Sequence, residues 1–480
     1  MTTENIQDIY ELSPIQHGIL VHSLSSSDLV LYFVQLGFTW HGNIDIVSFE
    51  RAWQHVMDRH TILRTSFYWQ DIDKPLQVVY QYAKVPLEQQ DWRGIDSFEQ
   101  HKRLNSFLKH DRERGFDFSQ APLMRVTLIR LNDRSYKFIW SLHMIILDGW
   151  SYPLVLKEVM ELYTAFCRGQ DVPLVPGSRF RDYITWLGKQ DSSQAEEFWR
   201  QMLKGVKAPT PLTNLDDSNL LSLEERYDEL LVKLSETTTA KLQSLAKQHH
   251  LTINVLVQGA WVLLLSRYTC QNEVVYGCTV SGRPVDLEGS ESMLGMLVNT
   301  LPVRVKVDAE QYLLPWLKQF QEQLVEIRQY EYTSLVDIQR WSEVQRGFSL
   351  FDSIFVFENQ PIDKILRDSG EQNQIIDFSH PLNLYKTNYP LNLIGYPGSE
   401  LRIGINYDFH RFDTATITGI LKHFEILLQN IAAHPNVILK DLSWLTEREQ
   451  YMNSMLEEQV TFNFSPHDSL FARKLPIANR

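Results

Sequence analysis

Hydrophobic spacing along the chain switches repeatedly between a period of two and a period near 3.6. At 136–142, Tyr136, Phe138, Trp140 and Leu142 alternate with Lys137, Ile139 and Ser141, which predicts a strand. Just beyond it, Leu156, Val159, Met160 and Tyr163 recur at helical spacing. Ser151 stands where a helix cap is expected, with Pro153 in the first turn. Asp148 and Gly149 therefore fall in a tight turn between a strand and a helix amino terminus. Gly149 lets backbone approach a ligand closely, and a helix start offers unpaired N–H groups with a partial positive charge. Such a corner suits a developing oxyanion. It also describes an ordinary strand–turn–helix connection with capping, and the local pattern favours that plainer account.

The same periodicities place other elements. Phe49, Trp53, Val56 and Met57 line one face of a helix. Strands follow at 65–69, 76–80 and 124–130. Pro173, Pro176 and Gly177 mark 171–178 as a connection between lobes. Beyond it the pattern predicts helices near 179–188, 193–203, 238–250 and 252–268. Strands are expected at 273–279, 301–307, 353–358 and 401–407, the last with Leu401, Ile403, Ile405 and Tyr407 on one face. A helix at about 413–433 closes this half. Strands and helices mix in both halves, so the expected class is α/β (α+β) in two lobes. The expected division is 1–178, 179–446 and a polar linker or tail at 447–480.

Composition narrows the function. The chain has 480 residues, too many for one ordinary core. The formal charge of −13 argues against a nucleic-acid binder and against a basic membrane-surface patch. Cys167, Cys270 and Cys278 show no paired or metal spacing, which fits a reducing cytoplasm and predicts no metal site. The amino terminus lacks a basic-then-apolar signal segment. The most apolar run, 251–265, is interrupted by Asn254, Gln258 and Gly259, so it reads as a buried helix and no membrane span is expected.

Seven motifs in order carry a resemblance. Leu12-Ser13-Pro14-Ile15-Gln16-His17-Gly18-Ile19-Leu20 opens the series, followed by Arg59-His60-Thr61-Ile62-Leu63-Arg64-Thr65-Ser66-Phe67. His143-Met144-Ile145-Ile146-Leu147-Asp148-Gly149 comes third and Phe180-Arg181-Asp182-Tyr183-Ile184-Thr185-Trp186 fourth. Leu294-Gly295-Met296-Leu297-Val298-Asn299-Thr300-Leu301-Pro302-Val303-Arg304, Tyr330-Glu331-Tyr332-Thr333-Ser334-Leu335, and Leu350-Phe351-Asp352-Ser353-Ile354-Phe355-Val356-Phe357-Glu358-Asn359 complete it. From about Tyr10 to Leu445 the chain resembles the condensation domains of nonribosomal peptide synthetases, whose active-site motif reads HHxxxDG. The opening motif and Leu147-Asp148-Gly149-Trp150-Ser151 look more like subclasses taking D-configured or dual donors.

The resemblance implies a pseudo-dimer of two chloramphenicol-acetyltransferase-like lobes in a V, with a central tunnel at the motif. It implies amide-bond formation between carrier-tethered acyl and aminoacyl thioesters. Donor and acceptor peptidyl carrier proteins would deliver substrates on phosphopantetheine arms, with no cofactor bound to the domain itself. No carrier serine motif, adenylation core or GxSxG elbow is visible, so the carriers and an adenylation enzyme or module are expected elsewhere.

Residue by residue, Met144 occupies the position of the family's second histidine, the base or positioning group. A methionine cannot accept a proton at neutral pH and is only a weak hydrogen-bond acceptor. His143 matches the first histidine, a packing position. Asp148 matches the motif aspartate, with Arg64 its expected partner and Arg59 behind it; Gly149 is expected for backbone geometry. Trp150, Ser151, Asn299 and Arg304 are expected along the tunnel, and Ser281-Gly282-Arg283-Pro284 reads as a turn near the lobe interface. His249 and His250 read as a helix carboxyl end. Three activities stay open: a working condensation enzyme, a silent scaffold docking carriers or tailoring enzymes, and a free-standing acyltransferase from a carrier thioester to a diffusible amine or alcohol.

Overall fold

The computed structural model describes residues 5–25, 31–212, 229–345, 347–358, 375–384, 387–452 and 454. Asn359 of the seventh motif and the expected tail beyond 454 lie outside them. Among the described residues the strands form three sheets. The first lobe is built on β12 (Ile375–Leu384), β2 (Phe33–His41), β7 (Ser135–His143), β6 (Met124–Asn132) and β5 (Leu87–Asp91), in that order across the sheet. The second lobe carries β10 (Asn299–Lys306), β9 (Glu273–Val280), β11 (Ser353–Phe357), β13 (Leu391–Tyr396), β14 (Arg402–Tyr407) and β8 (Glu229–Lys233). A small antiparallel sheet of β1 (Ile6–Glu11), β4 (Leu76–Tyr80) and β3 (Thr65–Tyr68) packs Phe67 and Val79 into the first-lobe core. The mixed two-lobe α/β architecture expected from the periodicities is what forms.

The alternation at 136–142 does more than expected of it. Tyr136, Phe138, Trp140 and Leu142 face the main first-lobe core. There Trp53, from the helix Ile46–Arg59, stacks on Phe138 at 6.1 Å and meets Trp140 edge-on at 5.2 Å. The opposite face of β7 is buried too. Ile139 packs with Trp92, Leu108 and Ile129 beneath the helix Ser97–Arg114. Ser141 there donates its hydroxyl to Asp111 Oδ2 at 2.6 Å. Asp111 also accepts from Gln35 Nε2 at 2.7 Å and from Arg125 Nε at 2.5 Å. A helix thus clamps the back of the strand that ends at His143, and the clamp is ionic and buried.

In the second lobe, the helix Ile253–Thr269 is buried on every side between the helices Leu313–Arg328 and Thr414–Ala433. That explains why its sequence shows an apolar run and no helical stripe. Among the described residues no single helix is long and apolar enough to cross a membrane.

The halves of the chain are interleaved. β12, from the second half, pairs antiparallel with β2, placing Ile376 opposite Trp40 and Leu384 opposite Gln35. Phe180, Met293, Leu294, Met296 and Leu297 join the first-lobe core.

The Asp111 clamp yields an expectation. Asp111→Ala strands the Arg125 guanidinium in a buried site, which should cost about 3–5 kcal/mol. Urea unfolding of the variant measures it. A loss under about 1 kcal/mol would mean that water reaches Arg125 as easily as Asp111 does.

Candidate active site between the lobes

β7 delivers the motif. At its last residue, His143 is buried, and its Nδ1 accepts from the backbone N–H of Ile145 at 3.2 Å. Phe118 meets its ring edge-on at 4.7 Å. Burial pushes the imidazole down to about 3, only partly offset by a hydrogen bond to the Leu31 backbone. A neutral ring with an acceptor nitrogen turned on its own loop shapes the turn. Met144 follows. Its N–H donates to the Tyr32 carbonyl at 2.9 Å. Its half-buried side chain lines a cavity of about 1490 Å³ between the lobes, together with Gly149, Trp150, Tyr152, Val298, Asn299 and Glu358.

Asp148 is fully buried and makes contacts to both halves of the chain. Its Oδ1 accepts from the Ser151 N–H at 2.9 Å, the Ser151 hydroxyl at 2.7 Å and Arg283 Nη2 at 3.1 Å. Its Oδ2 accepts from Arg283 Nη1 at 3.0 Å and from the N–H groups of Leu297 and Val298 at 3.1 Å each. The Asp148 N–H in turn donates to the Gly295 carbonyl at 3.1 Å. Six donors compensate one carboxylate, which is what a charge out of water needs.

This corrects the pairing expected from sequence: the partner of Asp148 is Arg283, and neither Arg64 nor Arg59 touches it. Arg64, in the turn Thr61–Arg64, folds back on the carboxyl end of the helix Ile46–Arg59. There Nε donates to the Met57 carbonyl at 2.9 Å and Nη2 to the Asp58 carbonyl at 3.0 Å. Helix-end carbonyls attract a cation, and these claimed the arginine. Its Nη1 also reaches the Tyr80 carbonyl and Gln7 Oε1. Arg59 pairs with Glu158 at 3.0 Å, which His60 also contacts at 2.8 Å. Arg283 was legible only as part of a turn. Gly282 before it has φ +60°, and a Cβ there would lie 1.8 Å from the Leu297 carbonyl oxygen, so only glycine lets the loop bring Arg283 onto Asp148.

The other expected residues divide. Trp150 lines the cavity, donates its indole N–H to the Glu291 carbonyl at 3.0 Å, and carries the Arg283 guanidinium 5.2 Å from its ring centre. Ser151 does not line the cavity and is not a cap. It is the first helical residue, and both its N–H and its hydroxyl serve Asp148. That donor is therefore spent on a carboxylate, leaving it unavailable to an oxyanion. Asn299 lines the cavity while its amide donates to the carbonyls of Glu331 at 2.9 Å and Thr333 at 2.7 Å. Arg304 lies away from the cavity. Its Nε reaches Glu273 at 2.5 Å and Nη1 the Met202 carbonyl at 3.1 Å, because it is a strand residue of β10 directed at the carboxyl end of the helix Ser192–Met202. Gly149 does not have a positive φ. A Cβ there would come within 3.4 Å of Glu358 Oε1, so the close approach is to a side chain of the second lobe.

Glu358, just past the end of β11, was legible only as a letter in the seventh motif. Its N–H donates to the Gly395 carbonyl at 2.9 Å and its carboxylate faces the cavity beside Gly149. Burial, then the Asp148 and Glu229 carboxylates, push it up to about 7. Glu229 is held differently, by the Tyr396 hydroxyl at 2.7 Å.

Asp148→Ala and Arg283→Ala each leave a buried charge alone and should each cost about 3–5 kcal/mol of stability. The double variant should cost less than their sum by at least about 1 kcal/mol, whereas Asp148→Ala and Arg64→Ala should add. Chemical denaturation of the six proteins measures both cycles, and additivity of the first pair would break the assignment. A second expectation concerns pH. His143 is depressed in the folded chain to about 3, so below the ordinary value near 6.5 the unfolded chain takes up its proton first. Its contribution is whole above that value and is lost as pH falls toward 3, at up to about 1.4 kcal/mol per pH unit. His143→Gln should flatten the stability profile by one proton in that window. An unchanged slope would mean that His143 titrates normally.

A family model described as Condensation domain matches residues 6–452. Two chains of the linear gramicidin synthase from Brevibacillus parabrevis are similar over the same span. One is 44% identical over 447 residues, covering 93% of this chain and 9% of that protein. The other is 42% identical over 446 residues, covering 93% of this chain and 6% of that one. The chain thus spans less than a tenth of these relatives' length. A starter condensation domain of rhizomide synthetase, solved with C8-CoA, superposes with a TM-score of 0.76 at 17% identity, over 91% of this chain and 98% of that one. With a family match running from β1 to the last described helix, this chain belongs to the condensation-domain family.

Proposed function

We propose that this chain joins a donor acyl or aminoacyl group to an acceptor amine inside a nonribosomal peptide synthetase, both arriving as thioesters on carrier-protein arms. Condensation domains work in modules beside carrier and adenylation domains, and the phosphopantetheine arm belongs to those partners. The observation that carries the proposal is the cavity of about 1490 Å³ between the lobes, with Met144 and Gly149 in its wall. A cavity walled by both lobes can hold two thioester arms with their ends together.

The chemistry asks little of position 144. A neutral amine is already a competent nucleophile toward a thioester. Holding the two ends together can supply roughly 7–11 kcal/mol, against ~10²–10⁴-fold for a positioned acid–base group. Proximity is the larger contribution, and Met144 removes only the smaller one. Asp148 and Arg283 keep the lobes in register around the reacting ends.

Met144 also favours a second reading, a silent domain that docks carriers without chemistry. One experiment separates the two. Donor and acceptor carriers are loaded, the chain is added, and products are followed by mass spectrometry. Dipeptidyl thioester should form, and Met144→Ala should change its rate less than about tenfold, because a thioether moves no proton. No product, with carrier amide resonances still shifting on titration, would establish the scaffold. Neither product nor shifts would sink both.

A further inference from the structure

Among the described residues, no cation lies within ion-pair distance of the Glu358 carboxylate. The charged groups around it have partners of their own. Asp148 beneath it is engaged by Arg283. Glu229 beside it accepts from Tyr396, with Arg402 of β14 attracting it. Tyr152, from the helix Ser151–Cys167, faces the Asp148 and Glu358 carboxylates and keeps its proton, mainly through burial. That leaves one carboxylate in the wall of the cavity, next to two further negative charges and to the motif turn. The ligand such a place selects is a cation small enough to enter the space beside Gly149.

On the condensation reading, one of the two substrates brings such a cation. An aminoacyl thioester carries an α-amine, and α-amines are ammonium below about 7.7–8. The protonated form cannot attack a carbonyl. The family motif would meet this need with its second histidine, and Met144 cannot. We propose that Glu358 binds the acceptor's α-ammonium and accepts its proton, supplying from the second lobe the acid–base group absent from position 144. The ammonium gives one proton to the Glu358 carboxylate. The freed amine nitrogen bonds to the donor carbonyl carbon, and the C–S bond breaks with its electron pair on sulfur. The proton that nitrogen then sheds goes to the leaving thiolate, and Glu358 returns its own to water. One ammonium and one thioester give one amide, one thiol and one proton. A carboxyl held near 7 by its surroundings is matched to this exchange.

Two measurements test it. In single-turnover condensation, Glu358→Gln should fall about 10²-fold or more. The rate of the native chain should rise with pH through about 7, since only the carboxylate can take the proton, and in the variant the rise should move up to the amine's own range, about 7.7–8. Restoring a base at the motif position, in the double variant Glu358→Gln with Met144→His, should recover most of the rate, which repair of a merely structural defect would not do. A native rate and pH profile in Glu358→Gln would overturn the assignment. The second measurement needs no turnover. Calorimetry at pH 7 compares an aminoacyl pantetheine amide with its N-acetyl counterpart. The native chain should prefer the free amine about tenfold, as expected for a charge-assisted hydrogen bond, and Glu358→Gln should show no preference. Equal affinities in the native chain would overturn the proposal even if condensation itself proceeds. A tenfold preference without product would keep the ammonium site and reject the condensation reading.

Discussion

One carboxylate holds this molecule in its working shape. Asp148 comes from the strand–turn–helix corner of the first lobe, and its six donors come from both halves of the chain. A buried ion pair is weak evidence of net stability, since desolvation offsets much of the attraction. Its worth here is geometric. It can be satisfied only when the Arg283 loop, the Leu297–Val298 backbone and the start of the helix Ser151–Cys167 meet at one point. The lobe contact and the motif turn are therefore one arrangement.

The neighbouring residues sort by this constraint. His143 is neutral and turned inward, while Met144 faces the cavity with no proton to trade. From the second lobe, Glu229 and Glu358, at the ends of β8 and β11, line the same cavity. An acid–base group can be supplied from any wall that reaches the same reacting atom. In the proposed reaction the motif turn, held by Asp148, sets the cavity wall, and Glu358 supplies the proton acceptor.

Much of the fold was legible because period and punctuation agree. The helix at 413–433 and the strand at 76–80 form within one residue of where spacing put them. What failed to show has physical causes. β8 and β12 are strands made by long-range pairing, and their sequences carry little alternation of their own. β2 does alternate, with Val34, Leu36, Phe38 and Trp40 in the core against Gln35, Gly37 and Thr39, so its pattern was there to be read; on its back face Gln35 meets Asp111 and Arg112. At the site, the motif located the corner, but spacing could not say which arginine would reach Asp148. Arg64 is nearer in sequence and carries the family's signature, yet helix-end carbonyls lie closer to it. Arg283 required a glycine loop whose fold depends on the Leu297 carbonyl. Glu358 looked like the end of an apolar strand, and only the lobe contact gives it neighbours.

The pairing of β12 with β2 ties the timing of folding to the order of synthesis. The first-lobe sheet is otherwise complete by His143, yet its outer strand arrives more than two hundred residues later. At about 5–20 residues per second of translation, β2 stays an open edge for on the order of ten seconds or more. Open edges recruit stray strands. A ribosome-bound first lobe therefore has reason to be met by a chaperone. The same ordering bears on the recombination of synthetase modules: a crossover placed between the lobes separates a strand from the sheet it completes.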